Sequence, residues 1–172
     1  QPANFDGSAS DNAAGVQLVK IRTYNATDST YFQGGGVWDV VDTWINASGT
    51  TSWTFTAPTL TNGKTYIVQS KAQDNATNVE TPAAGNTFKF DTTAPSSAVT
   101  VPTNGANLTI LATITGTSSD ATSGVNNVKL KIKNNTDTTY WNGSIWTTDP
   151  GFILGVTGTT SWTYTAPSWT TG

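Results

Sequence analysis

The chain contains no cysteine, no methionine and no histidine. Without cysteine it can form neither a disulfide nor a thiolate metal site. Without cysteine and histidine it also lacks the usual pairs of nucleophile and general base that activate a substrate. The glycine run at 34–36 lacks the lysine that a phosphate-binding loop needs. The sequence therefore predicts a protein that is not an enzyme.

Charged residues are scarce as well, at 11% of the chain, and the eight lysines and arginines leave a net charge of −3. A nucleic-acid surface needs a basic stripe that displaces counterions from phosphates, so the charge balance argues against a nucleic-acid partner. No apolar run approaches the roughly 20 residues of a membrane-spanning helix, and a membrane span is not expected. The chain begins at Gln1, without methionine or an apolar leader, which predicts a processed product or part of a longer one.

The sequence is rich in threonine, a β-branched residue that favours strands, and it repeats itself. The ten residues GTTSWTFTAP at 49–58 return as GTTSWTYTAP at 158–167 with one difference. At the same offset of 109 residues, GSASDNAAGV at 7–16 matches GTSSDATSGV at 116–125. A register held over so much of the chain indicates duplication of one module.

The repeat has the length of one β-sandwich domain and is too long for a solenoid unit. We therefore assign residues 1–94 to a first module and residues 95–172 to a second. In the usual lettering of such sandwiches, the first module lacks strand A, and the second lacks strands F and G. Strand F is central, so its absence is expected to expose half of the second core around Leu130, Trp162 and Tyr164.

Alternating apolar and polar residues predict short strands separated by turns. In NVKLKIKN at 127–134, three apolar side chains alternate with three lysines, as in a sheet with one buried face. About seven such strands in one period predict an all-β fold of tandem immunoglobulin-like β-sandwich modules, the second incomplete. TNGKTY at 61–66 resembles a tyrosine corner, in which Tyr66 would lie at the corner between strands E and F, and Val68 would take the place of the second cysteine.

Two finer predictions follow from the alternation. Asn142-Gly143, between aromatic flanks, predicts a two-residue type I′ hairpin turn. The expected cores consist of the apolar residues on one face of each strand. They are Phe5, Val19, Ile21, Trp53, Phe55, Tyr66, Val68, Phe88 and Phe90 in the first module, and Val99, Val101, Ile114, Val128, Leu130, Ile132, Trp162 and Tyr164 in the second.

Several phrases are similar to the bacterial immunoglobulin-like repeats of long secreted and cell-surface proteins. They are SASDNAAGV, SSDATSGV, YWNGSIW, AQDNATNVETP and FDTTAP. The similarity covers nearly the whole chain, and the linker phrase DTTAP at 91–95 is among its most specific parts. The resemblance implies extracellular display in tandem arrays, with an adhesive, spacer or filament role, and it implies no catalysis. The glycine-rich hairpin at 31–38 departs from the pattern, because it has no Asn-Gly turn.

The loops offer carboxylates for a hard cation such as Ca²⁺, which takes six to eight oxygen ligands. One candidate set is Asp11 with Asp74 or Glu80, from two loops that lie at one end of such a sandwich. The other set is Asp91 with Asp120, at the junction of the two modules. The alternative is that these residues only form turns by accepting hydrogen bonds from their own backbone.

The seven tryptophans raise a second hypothesis for function, a carbohydrate-binding module that stacks aromatic faces on surface glycans. Trp141 and Trp146 flank the hairpin turn, and one face of that hairpin must face solvent. An exposed, coplanar pair would favour sugar binding, and burial of both would exclude it. The first hypothesis remains a structural extracellular protein: a filament subunit, a stalk or the shaft of an adhesin. Its partners would be other copies of the chain, joined end to end by strands from a neighbouring chain or from the continuing chain.

Overall fold

The computed structural model describes residues 1–149, 151 and 153–169. These residues form antiparallel strands and no helix, which confirms the all-β prediction. Within the same residues, no helix has the length and apolar character needed to cross a membrane. The chain divides into two compact units, Gln1–Thr92 and Thr93–Gly172.

The first unit contains nine strands, two of them ten residues long. They are β1 Asn4–Ser8, β2 Val16–Asn25, β3 Thr30–Gly34, β4 Val37–Asp39, β5 Ile45–Asn46, β6 Ser48–Gly49, β7 Ser52–Thr56, β8 Thr65–Asp74 and β9 Asn86–Lys89. One sheet has the order β1-β7-β6. The other has the order β4-β3-β2-β8-β9, with β5 also paired to β2.

The inner faces of these two sheets pack on each other in a sandwich-like arrangement. Val19 and Ile21 of β2 are buried against Trp53 of β7. Aromatic rings join the sheets at two further places, where Phe5 meets Phe88 with ring centroids 6.2 Å apart and Phe32 meets Phe55 at 6.4 Å. All nine residues predicted for the first core are buried or partly buried, because strand alternation directs them to one side.

Tyr66 lies at the entry to β8, as the sequence predicted. Tyr66 is 1% exposed, and its hydroxyl accepts a hydrogen bond from the backbone N–H of Thr61 at 2.9 Å. Its ring stacks on Phe88, with centroids 5.8 Å apart. This bond fixes the loop that enters β8, which lies between β2 and β9 in the larger sheet.

The described residues of the second unit form eight strands, none longer than seven residues. They are β10 Ser96–Val101, β11 Thr113–Ser119, β12 Lys129–Leu130, β13 Lys133–Asn134, β14 Thr139–Trp141, β15 Trp146–Thr147, β16 Leu154–Gly155 and β17 Ser161–Thr165. One sheet has the order β10-β11-β17. The other strands form two smaller sheets, β12-β16 and β13-β14-β15.

The core of the second unit differs from the prediction in two ways. Leu130 and Trp162 are buried with Ile114, Val128 and the other core residues, so the expected exposure of this part of the core is wrong. These side chains are covered by apolar residues of the segment 128–132, of β16 and of the β14–β15 hairpin.

Val99 and Val101 of β10, expected in the core, are 50% and 42% exposed. β10 is the outermost strand of its sheet, and Val99 lines an open groove with Leu108 and Ile110. These neighbours cover its side chain only in part, so it stays half exposed.

The turn of the second-unit hairpin differs from the prediction, and the type I′ turn occurs in the first unit instead. Asn142 has a negative φ, and the Trp141–Trp146 pair is joined by four residues, so the predicted two-residue turn is wrong. The Asn142 side-chain oxygen instead accepts hydrogen bonds from the N–H groups of Ser144 and Ile145 at 2.9 and 2.8 Å. In the first unit, the two-residue turn is formed by the glycines at 35 and 36, both with the positive φ that type I′ requires.

Candidate functional site

The segment 128–134, which contains β12 and β13, has one open side. In the first unit, its counterpart β2 pairs with β8 along almost its full length, from Val16 to Asn25. On the other side β2 pairs with β3 and β5, and the second unit repeats those contacts as β13 with β14 and β12 with β16. No strand of the described residues takes the place of β8 in the second unit.

The backbone orientation identifies the groups on that open side. The carbonyl of Ile132 accepts a hydrogen bond from the N–H of Trp141 at 3.1 Å, so the backbone of Ile132 faces the hairpin. Successive residues of an antiparallel strand direct their backbone groups to opposite sides, so Lys131 directs its N–H and C=O to the open side. This is an edge of the kind that pairs with another strand.

Asp11, from the first of the two predicted calcium sets, closes a turn. The Oδ1 atom of Asp11 accepts hydrogen bonds from the backbone N–H groups of Ala13, Ala14 and Gly15 at 3.0, 2.6 and 2.9 Å. Asp120 repeats this geometry 109 residues later, with Thr122, Ser123 and Gly124 as donors at 2.9, 2.7 and 3.1 Å. Turn formation thus occupies one oxygen of each of these two residues.

These bonds also set the acidity of both groups. The backbone N–H of Ala13, followed by those of Ala14 and Gly15, lowers the pKa of Asp11 below its ordinary value. The backbone N–H of Ser123 is the main cause that lowers the pKa of Asp120. Donors aimed at a carboxylate favour its charged form, so each turn holds an ionised aspartate.

The remaining carboxylates of those sets bond to nearby groups. Asp74 accepts from the backbone and the side chain of Asn78 at 2.7 and 2.8 Å, and Glu80 accepts from the N–H of Ala72 at 2.9 Å. Asp91 belongs to the first unit and Asp120 to the second.

The structure does bring the two loops of the first candidate set together, because the Asn75 side chain donates to the carbonyls of Ala14 and Gly15. Among the described residues, no group of three acidic side chains could hold a metal ion. Calcium binding at either set stays a prediction.

Trp141 and Trp146 are both partly buried and pack against the second core. Their ring centroids are 5.6 Å apart, and the planes are tilted by 57°. The indole N–H of Trp141 donates to the hydroxyl of Tyr164 at 3.0 Å. The pair is therefore neither fully buried nor a coplanar platform, and sugar binding at this hairpin stays a prediction.

Sequence reasoning missed a cluster of cations and aromatic rings on the outer face of the larger first sheet. Trp44 lies against two cations, with Lys71 Nζ 4.2 Å and Arg22 Cζ 4.9 Å from its ring centroid. Arg22 also lies 5.6 Å from the ring centroid of Tyr31. Trp44 stands just before β5, away from the alternating strand pattern, and only the three-dimensional pairing of β2, β5 and β8 brings these residues together.

Comparisons of the chain with protein-family models, with curated proteins and with solved structures find no match. The functional interpretation therefore depends on the residues, their contacts and the repeat.

Proposed function

We propose that the chain is a structural part of an extracellular or cell-surface repeat protein, as a filament subunit, a stalk or the shaft of an adhesin. In this proposal, the two units are immunoglobulin-like modules, and each is a rigid unit in a linear array. The observation that carries the proposal is that the same residues perform the same structural tasks in both units, 109 positions apart.

The repeated tasks concern folding alone. Asp11 and Asp120 close matching turns. The Asn25 side chain donates to Asp28 at 2.9 Å, and Asn134 donates to Asp137 at 2.8 Å, in a second matching turn. A catalytic or binding site would require reactive or ligand-binding side chains at the repeated positions. The residues found there are turn formers, core residues and glycines.

The strand order supports an immunoglobulin-like arrangement. In such sandwiches one sheet holds strands A, B and E, and the other holds C, F and G. In the second unit β10-β11-β17 corresponds to A, B and E, and in the first unit β2-β8-β9 corresponds to C, F and G. The hydrogen bond from Thr61 to Tyr66 at the entry to β8 fits the tyrosine corner of that fold.

The open side of the segment 128–134 supplies a means of end-to-end joining. We propose that it accepts a strand like β8 from a neighbouring module, on the same chain or on another copy. Addition of a strand to an exposed edge forms a continuous ladder of backbone hydrogen bonds. The resulting assembly would be a fibre in which backbone hydrogen bonds join each module to the next.

Sedimentation velocity over a range of protein concentrations tests this joining. The unmodified chain is expected to self-associate as its concentration rises. Lys131→Pro removes the N–H that faces the open side, and an edge strand tolerates proline at such a position. Lys131→Thr is the matched control, because it removes the same charge and keeps the N–H.

The proposal expects Lys131→Pro to remain monomeric and Lys131→Thr to associate as the unmodified chain does. A monomer at every concentration would contradict joining to another copy, and equal association of both variants would contradict joining through this edge. Circular dichroism of each variant would verify that the strand content is retained.

A further inference from the structure

The cationic side chains of the protein lie on or beside the larger sheet of the first unit and in the segment 128–134 of the second. These residues are Lys20 and Arg22 on β2, Lys64 and Lys71 just before and on β8, Lys89 on β9, and Lys129, Lys131 and Lys133 in the segment 128–134. The cations of β2 alternate with the buried Val19, Ile21 and Thr23, so they lie on the outer face. A chain with a net charge of −3 thus concentrates its positive charge on one kind of surface.

Two of these lysines face each other directly. Lys20 of β2 and Lys71 of β8 are partners in the antiparallel register. Like charges directly opposite each other in a sheet are destabilising. The ion pairs among the described residues involve Arg22 with Asp42 and Lys64 with Asp28, so neither Lys20 nor Lys71 has a carboxylate partner there. The Trp44 ring compensates this repulsion in part through its contact with Lys71, and no ion pair among the described residues compensates it at Lys20. Local rules of this kind are broken mainly at functional sites.

A hollow of about 110 Å³ lies at this lysine pair. Its lining combines the two lysines and the polar Gln73 with the apolar Leu18 and Val79. Val79 is 57% exposed, and Leu18 is partly buried. The hollow therefore offers two positive charges beside a small apolar surface, the combination that holds a ligand with an anionic group and an apolar body.

Neighbouring residues contact both Lys71 and Arg22. They position the Lys71 ammonium and occupy hydrogen-bond donors of the Arg22 guanidinium. The Lys71 ammonium lies over the ring of Trp44, which is a favourable cation–π contact. Arg22 donates through Nε to the Gln69 side chain at 2.9 Å and through a terminal nitrogen to Asp42 at 2.6 Å. The free donors at the hollow are thus ammonium groups, which are point charges without the fork geometry of arginine.

We propose that this outer face binds an acidic carbohydrate, with one sugar carboxylate between Lys20 and Lys71. The apolar C–H face of the sugar ring would lie on Leu18 and Val79. The size of the hollow suits a carboxylate and part of one ring, so the rest of the oligosaccharide would extend along the sheet surface. This binding function is separate from the proposed structural role and does not depend on it.

Nucleic acid fits the same surface less well. Binding of single strands requires a positive groove that follows the backbone over several phosphates. Here the positive region at the hollow consists of two lysines, and Asp42 neutralises the adjacent arginine. A uronate ring places one carboxylate at the hollow, which matches the two lysines there.

Isothermal titration calorimetry with trigalacturonate at low salt tests the proposal, with the neutral trisaccharide maltotriose as the comparison ligand. We expect measurable binding of trigalacturonate and none of maltotriose. Lys20→Gln and Lys71→Gln should each raise Kd by about tenfold, because each removes one charge-assisted hydrogen bond. Lys20→Gln should also raise the melting temperature slightly, since it relieves the repulsion between the lysines, and circular dichroism would verify that both variants fold.

Two matched variants serve as controls. Lys64→Gln removes a cation of the same unit that already pairs with Asp28, and Lys129→Gln removes the repeat counterpart of Lys20. Both should leave Kd unchanged. Equal binding of maltotriose, unchanged binding by Lys20→Gln and Lys71→Gln, no binding of trigalacturonate, or tighter binding of a single-stranded DNA oligonucleotide would each overturn the proposal.

Discussion

The indole of Trp53 lies directly over Gly7, its partner across the β1–β7 pair. A Cβ atom at Gly7 would come within 2.2 Å of Trp53 Cζ2, so the close packing depends on the absence of a side chain. The second unit repeats this relationship between Trp162 and Gly116, where the corresponding distance is 2.1 Å. A large ring that covers a cross-strand glycine protects the backbone and fixes the register. Both units therefore depend on an equivalent Gly–Trp pair.

Gly116→Ala should destabilise the second unit by at least about 2 kcal/mol, because the added methyl group would collide with Trp162 and with the carbonyl of Ala98. Urea unfolding followed by tryptophan fluorescence measures this change. Gly155→Ala is the control in the same unit, since a Cβ there meets nothing within 4 Å, and it should change stability by less than about 0.5 kcal/mol. Equal effects of the two substitutions would refute the role of the pair.

Tyr66→Phe should cost about 1–3 kcal/mol of stability, because it leaves the N–H of Thr61 without its acceptor. The hydroxyl of Tyr24, on the outer face of the same sheet, makes no hydrogen bond with the described residues. Tyr24→Phe should therefore change stability by less than about 0.5 kcal/mol. Chemical denaturation of both variants provides the comparison, and a neutral Tyr66→Phe would mean that the corner does not stabilise the fold.

Stability should fall in acid partly through Asp11. Its pKa is lower in the folded protein than the ordinary value of 3.8, so the unfolded chain takes up a proton more readily. The stabilisation is complete above pH 3.8 and is lost as the pH falls through the folded pKa. Asp11→Asn keeps an oxygen that accepts the turn hydrogen bonds but cannot ionise, so unfolding free energies measured against pH should decline less steeply in this variant. An identical acid decline in both proteins would show that Asp11 has no part in it.

Melting curves in chelator and in excess Ca²⁺ test the predicted metal sites. Bound calcium raises the melting temperature by an amount set by its affinity and free concentration. At the first candidate set, Asp11→Asn should abolish that increase while it retains the turn. At the second set, Asp120→Asn should do the same. Curves that coincide in chelator and in calcium would leave turn formation as the only role of these carboxylates.

The sequence predicted best what depends on alternation. The long run at β2 has one buried face, and Val68 and Ala72 of β8 pack against the same core, because period two fixes the side to which each side chain points. The position of Tyr66 was predictable for a similar reason, since a local motif places it at the entry to β8.

Features that depend on distant partners were harder to predict. Val99 has the strand pattern of a core residue, yet burial requires a second sheet above it, and pattern alone does not specify that sheet. The hairpin at Asn142 follows a different turn type, because its side chain bonds to the backbone two and three residues ahead. The contact of Trp44 with Lys71 joins separate strands and leaves no local signal.

The most direct test of the account compares two amides by hydrogen exchange in the monomeric chain. Arg22 and Lys131 occupy equivalent positions, but β8 pairs with the strand of Arg22, and no described strand pairs on that side of Lys131. The account predicts that the Lys131 amide exchanges faster than the Arg22 amide by at least about a thousandfold, and that self-association slows it. Slow exchange at Lys131 in a monomer would mean that the second unit closes its own sheet, and joining of modules through this edge would be wrong.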